Sequence, residues 1–146
     1  MADLKELSRQ AIALYNAHDL DGFVARYRPD AELVAPGAPP ARGTAAIKEV
    51  WQRQFAGFPD GRVTVHTMVA EGSTLAAEYT FTGTNTGPLT LPTGQTLPAT
   101  NNKVSLRGVY VVILEGDKVK SDHSYWDLAE GLAQLGLMPT PARATA

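Results

Sequence analysis

The segment KVSLRGVYVVILEGDKVKSDHSYWD, residues 103–127, decides how this chain folds and where its chemistry can lie. Two runs of strand-forming residues flank Glu115–Lys118, a short turn of hairpin type. In an extended strand, neighbouring side chains point to opposite faces. Asp122, Ser124 and Trp126 therefore share one face of the second run, while His123 and Tyr125 share the other. The consecutive Asp122, His123 and Ser124 cannot form a Ser-His-Asp relay among themselves. Asp122 still stands out, as a mid-strand carboxyl on a face that includes Trp126. Turned into an apolar cavity, such a carboxyl has a raised pKa and can both take and give a proton. Turned outward, it is a solvated aspartate paired with Lys118 or Lys120, the commoner place for this residue type.

Upstream, RVTVHTMVA (62–70) and STLAAEYTFTG (73–83) read as a second pair of strands, joined at Glu71–Ser73. Between the pairs, the Gly-, Pro- and Thr-rich stretch 84–100 is long enough for a functional rim loop, with a short strand near 96–99. The N-terminal half is helical in texture. Asp3 is placed to cap a first helix with Leu4, Leu7, Ala11, Ile12, Leu14 and Tyr15 at helical spacing, broken at 16–19. A short second helix spans 20–26, a short strand 31–34, and the proline-rich 36–43 is a loop. A third helix follows Gly43 and Thr44, with Ile47, Val50, Trp51 and Phe55 on its apolar face. One or two helical turns over 128–137 close the chain.

Three helices followed by a meander of antiparallel strands is an α+β order. A strongly twisted sheet wrapped on helices makes a cone whose concave side suits a small molecule. The expectation is a cone-shaped α+β barrel, mostly antiparallel, formed by a single domain over 1–138, with a disordered tail over 139–146.

Composition excludes several function classes. With 13 basic and 15 acidic residues and no Lys/Arg stripe, neither nucleic acid nor an anionic membrane is an expected partner. There is no cysteine, hence no disulfide, thiolate nucleophile or zinc–sulfur site. The charged N-terminus does not read as a signal peptide and no window approaches the roughly 20 apolar residues of a membrane span, so a cytoplasmic setting is expected. His18, His66 and His123 lack metal-ligand spacing, and no phosphate-binding glycine loop is present, so neither a metal nor a cofactor is expected.

The motifs FTGTNTGPL (81–89), LPTGQ (91–95) and VSLRGVYVVILEGDKVKSDHSYWDLAEGLAQLGL (104–137) resemble the SnoaL-like polyketide (ester) cyclases of the nuclear-transport-factor-2-like superfamily. That superfamily also holds ketosteroid isomerase and limonene epoxide hydrolase. YNAHDLDGF (15–23), RPDAELVAPG (28–37) and GTAAIKEVWQRQF (43–55) extend the resemblance over nearly the whole chain. It implies a homodimer packed through the sheet, and cofactor-free aldol closure of a hydrophobic, carbonyl-containing polyketide-like substrate. On this resemblance the founding cyclases' catalytic aspartate falls on Ser124, their assisting histidine on Tyr110, and the histidine of their GTHTG motif on Asn85. In relatives the acid stands two residues earlier, at Asp122, on the same strand face and about 6–7 Å along it. Asp122 is thus the expected acid–base, with Tyr110 and Ser124 as hydrogen-bond partners.

Trp126, Trp51, Phe55 and Tyr15 are expected to wall the cavity or simply fill the core. Asn85 is placed to bind substrate or to hold a turn, and His66 to line the pocket beside Met68 or serve structurally. Glu78 is a candidate second carboxylate, although Leu75, Ala77, Tyr79 and Phe81 form the apolar face and turn it outward. The rival functions are double-bond isomerisation or epoxide hydrolysis on the same scaffold, and small-molecule binding without catalysis. Arg107, the arginine an epoxide hydrolase would want, alternates out of phase with Tyr110.

Overall fold

The chain turns on a capped first helix. The Asp3 carboxylate accepts hydrogen bonds from the Lys5 and Glu6 amides at 3.0 and 3.2 Å and starts α1, Leu4–Asn16. His18, at a positive φ of 55°, reverses the chain, and Asp19 caps the short α2, Leu20–Val24. The computed structural model describes residues 3–138, so the tail expected over 139–146 lies outside the described residues.

β1 runs Tyr27–Val34, four residues earlier than the alternation at 31–34 implied. The proline-rich stretch read as loop carries a two-residue edge strand, β2 (Ala41–Arg42), paired to β1 just beyond Pro39 and Pro40. α3 spans Thr44–Gly57, entered through Gly43 at a φ of 85°, and the meander follows as β3 (Arg62–Glu71) and β4 (Thr74–Thr84). The rim stretch holds a small hairpin, β5 (Leu89–Thr90) with β6 (Thr96–Leu97). β7 (Lys103–Glu115), β8 (Lys118–Trp126) and α4 (Leu128–Gln134) complete the described chain.

The main sheet has the order β2-β1-β8-β7-β4-β3. All its pairings are antiparallel except β1 with β8, which is parallel and sets Leu33 beside Asp122. This curved sheet wraps the helices on one face. Leu75, Ala77 and Phe81 of β4, Val104, Val112 and Leu114 of β7, Val119 of β8 and Tyr27, Ala31 and Leu33 of β1 are buried there against Ala11, Tyr15, Phe23 and Ile47. The other face leaves Val109, Ile113 and Tyr125 exposed. No described helix is long and apolar enough to cross a membrane.

Candidate functional site

Asp122 sits in the middle of β8, between Leu33 of β1 and Val112 of β7, on the concave, helix-covered face. Only 7% of it is exposed. Its Oδ2 accepts a hydrogen bond from the Tyr27 hydroxyl at 2.6 Å. No described residue hydrogen-bonds Oδ1. The one sealed side-chain polar atom without a partner among the described residues is Trp51 Nε1. One carboxyl oxygen is pinned and the other has no hydrogen-bond partner among the described residues.

Burial pushes the Asp122 carboxyl up from its ordinary value, against the opposing pull of the Tyr27 hydrogen bond, the Arg26 charge and then His123. Tyr27, 3% exposed, is raised far above the usual phenol range, mainly by burial and then by the charge of Asp122, and so remains a donor. The Trp51 indole N–H lies near enough to the Tyr27 phenol to favour its ionised form slightly, but its geometry leaves the N–H unpaired.

Three more polar side chains reach this face. Tyr110 and Ser124 are opposite each other in the β7–β8 ladder, and the Tyr110 hydroxyl lies 2.6 Å from Ser8 Oγ of α1. Tyr79 of β4 pairs with Gly108 of β7. A Cβ on Gly108 would lie 2.7 Å from the Tyr79 hydroxyl, so the glycine lets that phenol lie across β7 toward Ser124. The Tyr79 hydroxyl is pushed up to about 12, chiefly by burial and then by Asp122, with Ser124 lowering it. Burial also raises Tyr110, whose contact with Ser8 works the other way.

The aromatic wall is built by edge-on packing. Tyr15 meets Phe23, Trp51 and Phe55 with ring centroids 5.6, 5.9 and 5.1 Å apart. Phe55 also stacks on His18, whose Nε2 lies 2.7 Å from the Gly61 carbonyl. Trp126, on the same strand face as Asp122, leans on Gly131 of α4 and so closes the α4 end.

The other candidates lie elsewhere. Glu78 is exposed on the convex face opposite Val109, turned out by the strand alternation that buries Ala77, and lines no part of the buried cluster. His66 is exposed at a register shift between Val65 and Thr67, its Nε2 2.7 Å from Thr80 Oγ1, and borders an outer groove with Lys5, Arg9 and Met68. Asn85 is fully buried, but its amide donates to the Gly57 and Gly87 carbonyls and accepts from the Thr100 N–H and hydroxyl. With both donors and its oxygen engaged, it holds the rim loop to the end of α3 and has nothing to offer a substrate.

Sequence reasoning missed Tyr27 and Arg26. Starting the strand at 31 removed Tyr27 from the sheet, and the register shift between Tyr27 and Glu32, with Pro29 exposed, breaks the alternation that would have carried the count back to it. Arg26 follows the buried Phe23 and Val24, and its guanidinium carbon lies 5.9 Å from the centre of the Phe23 ring. Burial lowers its pKa, while Tyr27, Asp122 and Tyr110 act the other way. The arginine that acts on Asp122 is thus Arg26, and Arg107 is exposed on the convex side.

The sequence profile described as the SnoaL-like domain matches residues 8–121, stopping one residue short of Asp122. No curated protein sequence matches the chain. Among solved structures it is similar to AclR from Streptomyces galilaeus, at 22% identity over 95% of this chain and 88% of that one, with a TM-score of 0.79. It is also similar to a protein of Jannaschia sp. CCS1 provisionally assigned as a SnoaL-like polyketide cyclase, at 18% identity, 92% and 94% coverage and a TM-score of 0.76. SalBIII, an epoxide hydrolase/cyclase-like enzyme in pyran ring formation in the polyether salinomycin, matches at 19% identity, 86% and 92% coverage and a TM-score of 0.72. At such identities the likeness to these structures is one of fold. The profile, in contrast, spans well over half of the sequence, and the chain belongs to the SnoaL-like domain family.

Proposed function

We propose that the protein is a cofactor-independent acid–base enzyme that closes a ring in a polyketide-like carbonyl substrate by intramolecular aldol addition. The observation that carries this reading is the asymmetry of Asp122: buried, with Oδ2 held by Tyr27 and Oδ1 without a hydrogen-bond partner among the described residues. Ionised Oδ1 takes a proton from a carbon flanked by carbonyls. The resulting enolate carbon attacks a second carbonyl of the same molecule, forming the C–C bond. The alkoxide then recovers the proton from Asp122, so atoms balance without a co-reactant. In this reading Ser124, Tyr110 and Tyr79 supply hydrogen bonds to the substrate oxygens as charge develops. One positioned acid–base group contributes about 10²–10⁴-fold, enough where the substrate proton is already acidic.

Deuterium exchange into methyl 2-benzyl-3-oxobutanoate, an aromatic 3-oxo ester with one proton between two carbonyls, tests the proton-transfer step. The protein is expected to accelerate exchange, and Asp122→Asn to lose about 10²-fold or more while retaining its fold. Equal exchange by both proteins would remove Asp122 from the chemistry and favour a binding module. Isomerisation and epoxide opening need the same carboxyl, and a panel of enones and epoxides separates them from aldol closure.

The exposed Val109, Ile113 and Tyr125 on the convex face support the second half of the reading, a homodimer joined through the sheet.

A further inference from the structure

Arg26 is a cation without a carboxylate. Among the described residues, Arg9, Arg28, Arg42 and Arg53 each have an acidic partner within 4.0 Å; Arg26 has none and forms no side-chain hydrogen bond, and of the arginines without a partner Arg62 and Arg107 are exposed while Arg26 is not. Those four pairs sit on the surface, where an unpaired arginine would cost little. Arg26 is half-buried, its guanidinium beside Phe23, whose ring packs edge-on against Trp51 at 5.3 Å and Tyr27 at 6.0 Å. Its backbone carbonyl is fixed by the Val119 amide at 2.8 Å, which anchors the residue at the start of the parallel β1–β8 pairing. The groups that feel its charge are Tyr27, Asp122 and Tyr110, the polar members of the candidate site. The three tyrosines at the site are neutral donors. When Asp122 holds its proton, none of these groups carries a negative charge to oppose that of Arg26.

A partly desolvated cation is stabilised by a counter-charge. A planar guanidinium with free N–H groups best accepts a carboxylate, through two parallel hydrogen bonds. We propose that Arg26 anchors a carboxylate of the substrate, so that the substrate class is aromatic or polyketide-like oxo acids in place of neutral ketones or esters. The inference rests on the acid–base reading of the same site for the word substrate, and on the unpaired guanidinium for the word acid. Phe23, Trp51 and Tyr15 form the apolar wall beside which the carbon skeleton lies. The anchor sets which carbon reaches Oδ1 of Asp122.

The test is calorimetric titration of the full chain with 4-acetylbenzoate and with its methyl ester, which lacks the charge and adds one methyl group. The acid is expected to bind tighter than the ester by roughly tenfold or more. Arg26→Gln is expected to erase that difference, Arg26→Lys to keep part of it, and Asp122→Asn to leave it in place. A salt series on the unaltered protein gives a second readout that needs no variant. Affinity for the acid is expected to fall with ionic strength while affinity for the ester holds. Equal affinity for acid and ester, binding of neither, or a preference that survives Arg26→Gln would overturn the proposal. So would an Arg26→Gln variant that keeps its preference for the acid but slows exchange of the neutral 3-oxo ester, because Arg26 would then serve a developing oxyanion. Loss of exchange in Asp122→Asn with no acid preference leaves the enzyme standing and removes the anchor. An acid preference with exchange unaffected by Asp122→Asn does the reverse.

Discussion

At the residue scale, Asp122 is governed by two opposed effects. Burial disfavours its anion, and the Tyr27 hydroxyl at 2.6 Å favours it. Burial is the larger. Between the ordinary aspartate value of 3.8 and the raised native one, the folded protein keeps a proton that the unfolded chain has released. Stability therefore falls as pH rises through that window. Asp122→Asn keeps an acceptor for Tyr27 and cannot ionise. Its melting temperature is expected to exceed that of the unaltered protein at neutral pH, with the gap closing below about pH 3.8, as measured by thermal melts across pH. Tyr27→Phe acts in the opposite sense on the carboxyl. It removes the bond that favours the anion, so the acidic limb of the exchange rate, where Asp122 loses its proton, is expected to move to higher pH. Leaving Oδ2 unpaired also costs about 1–3 kcal/mol in a denaturant melt. An unmoved pH profile would mean that Tyr27 does not tune the acid.

At the element scale, the site depends on two features that place side chains without touching substrate. Gly108 leaves the space through which the Tyr79 hydroxyl crosses β7. Gly108→Ala puts a methyl carbon 2.7 Å from that oxygen, so Tyr79 must swing away from Ser124. Exchange activity is expected to fall several-fold with a stability loss of about 1–3 kcal/mol, read by paired activity and melting measurements. Asn85 ties α3 to the rim loop, and Asn85→Ala leaves the Gly57 carbonyl and the Thr100 amide without their side-chain partner. Those two groups explain why the residue could not be assigned from sequence. Its partners lie 28 and 15 positions away, and no local pattern announces them. What was legible followed from short-range rules. Alternation placed Asp122 and Ser124 together and turned His123 and Tyr125 away, and Asp3 identified itself as a cap. What was not legible came from long-range pairing. β1 starts at Tyr27 because its partner β8 lies more than 90 residues on, and Pro29 and Asp30 within it are poor strand formers.

At the scale of the whole molecule, a six-stranded sheet with helices on one side must do something with the other side. Polar residues cover part of it: Glu32 holds Arg42 and His123, each at 3.2 Å, near the β1 edge. Toward the centre Val109 is 37%, Ile113 40% and Tyr125 58% exposed, beside the charged Glu78 and Arg107. Val109 and Tyr125 are direct ladder partners, so these two side chains form a patch across β7 and β8, with Ile113 further along β7 on the same face. A patch of this kind at the middle of a sheet is suited to a second copy of itself, because a two-fold axis there sets each residue against its own equivalents. Val109 and Tyr125 point away from Asp122, so altering them separates assembly from the candidate site. The double change Val109→Lys and Tyr125→Lys adds two positive charges per chain, and the symmetry sets them against the same charges on the partner. Sedimentation is expected to show a dimer for the unaltered protein and a monomer for the variant at the same concentration, with exchange activity per chain retained. A variant that remains dimeric would move the interface off this face. An unaltered protein that sediments as a monomer at all concentrations would leave the patch without the partner assigned to it. If the variant instead loses both its dimer and its exchange activity, the sheet face and the Asp122 cluster are coupled through β8, the strand they share.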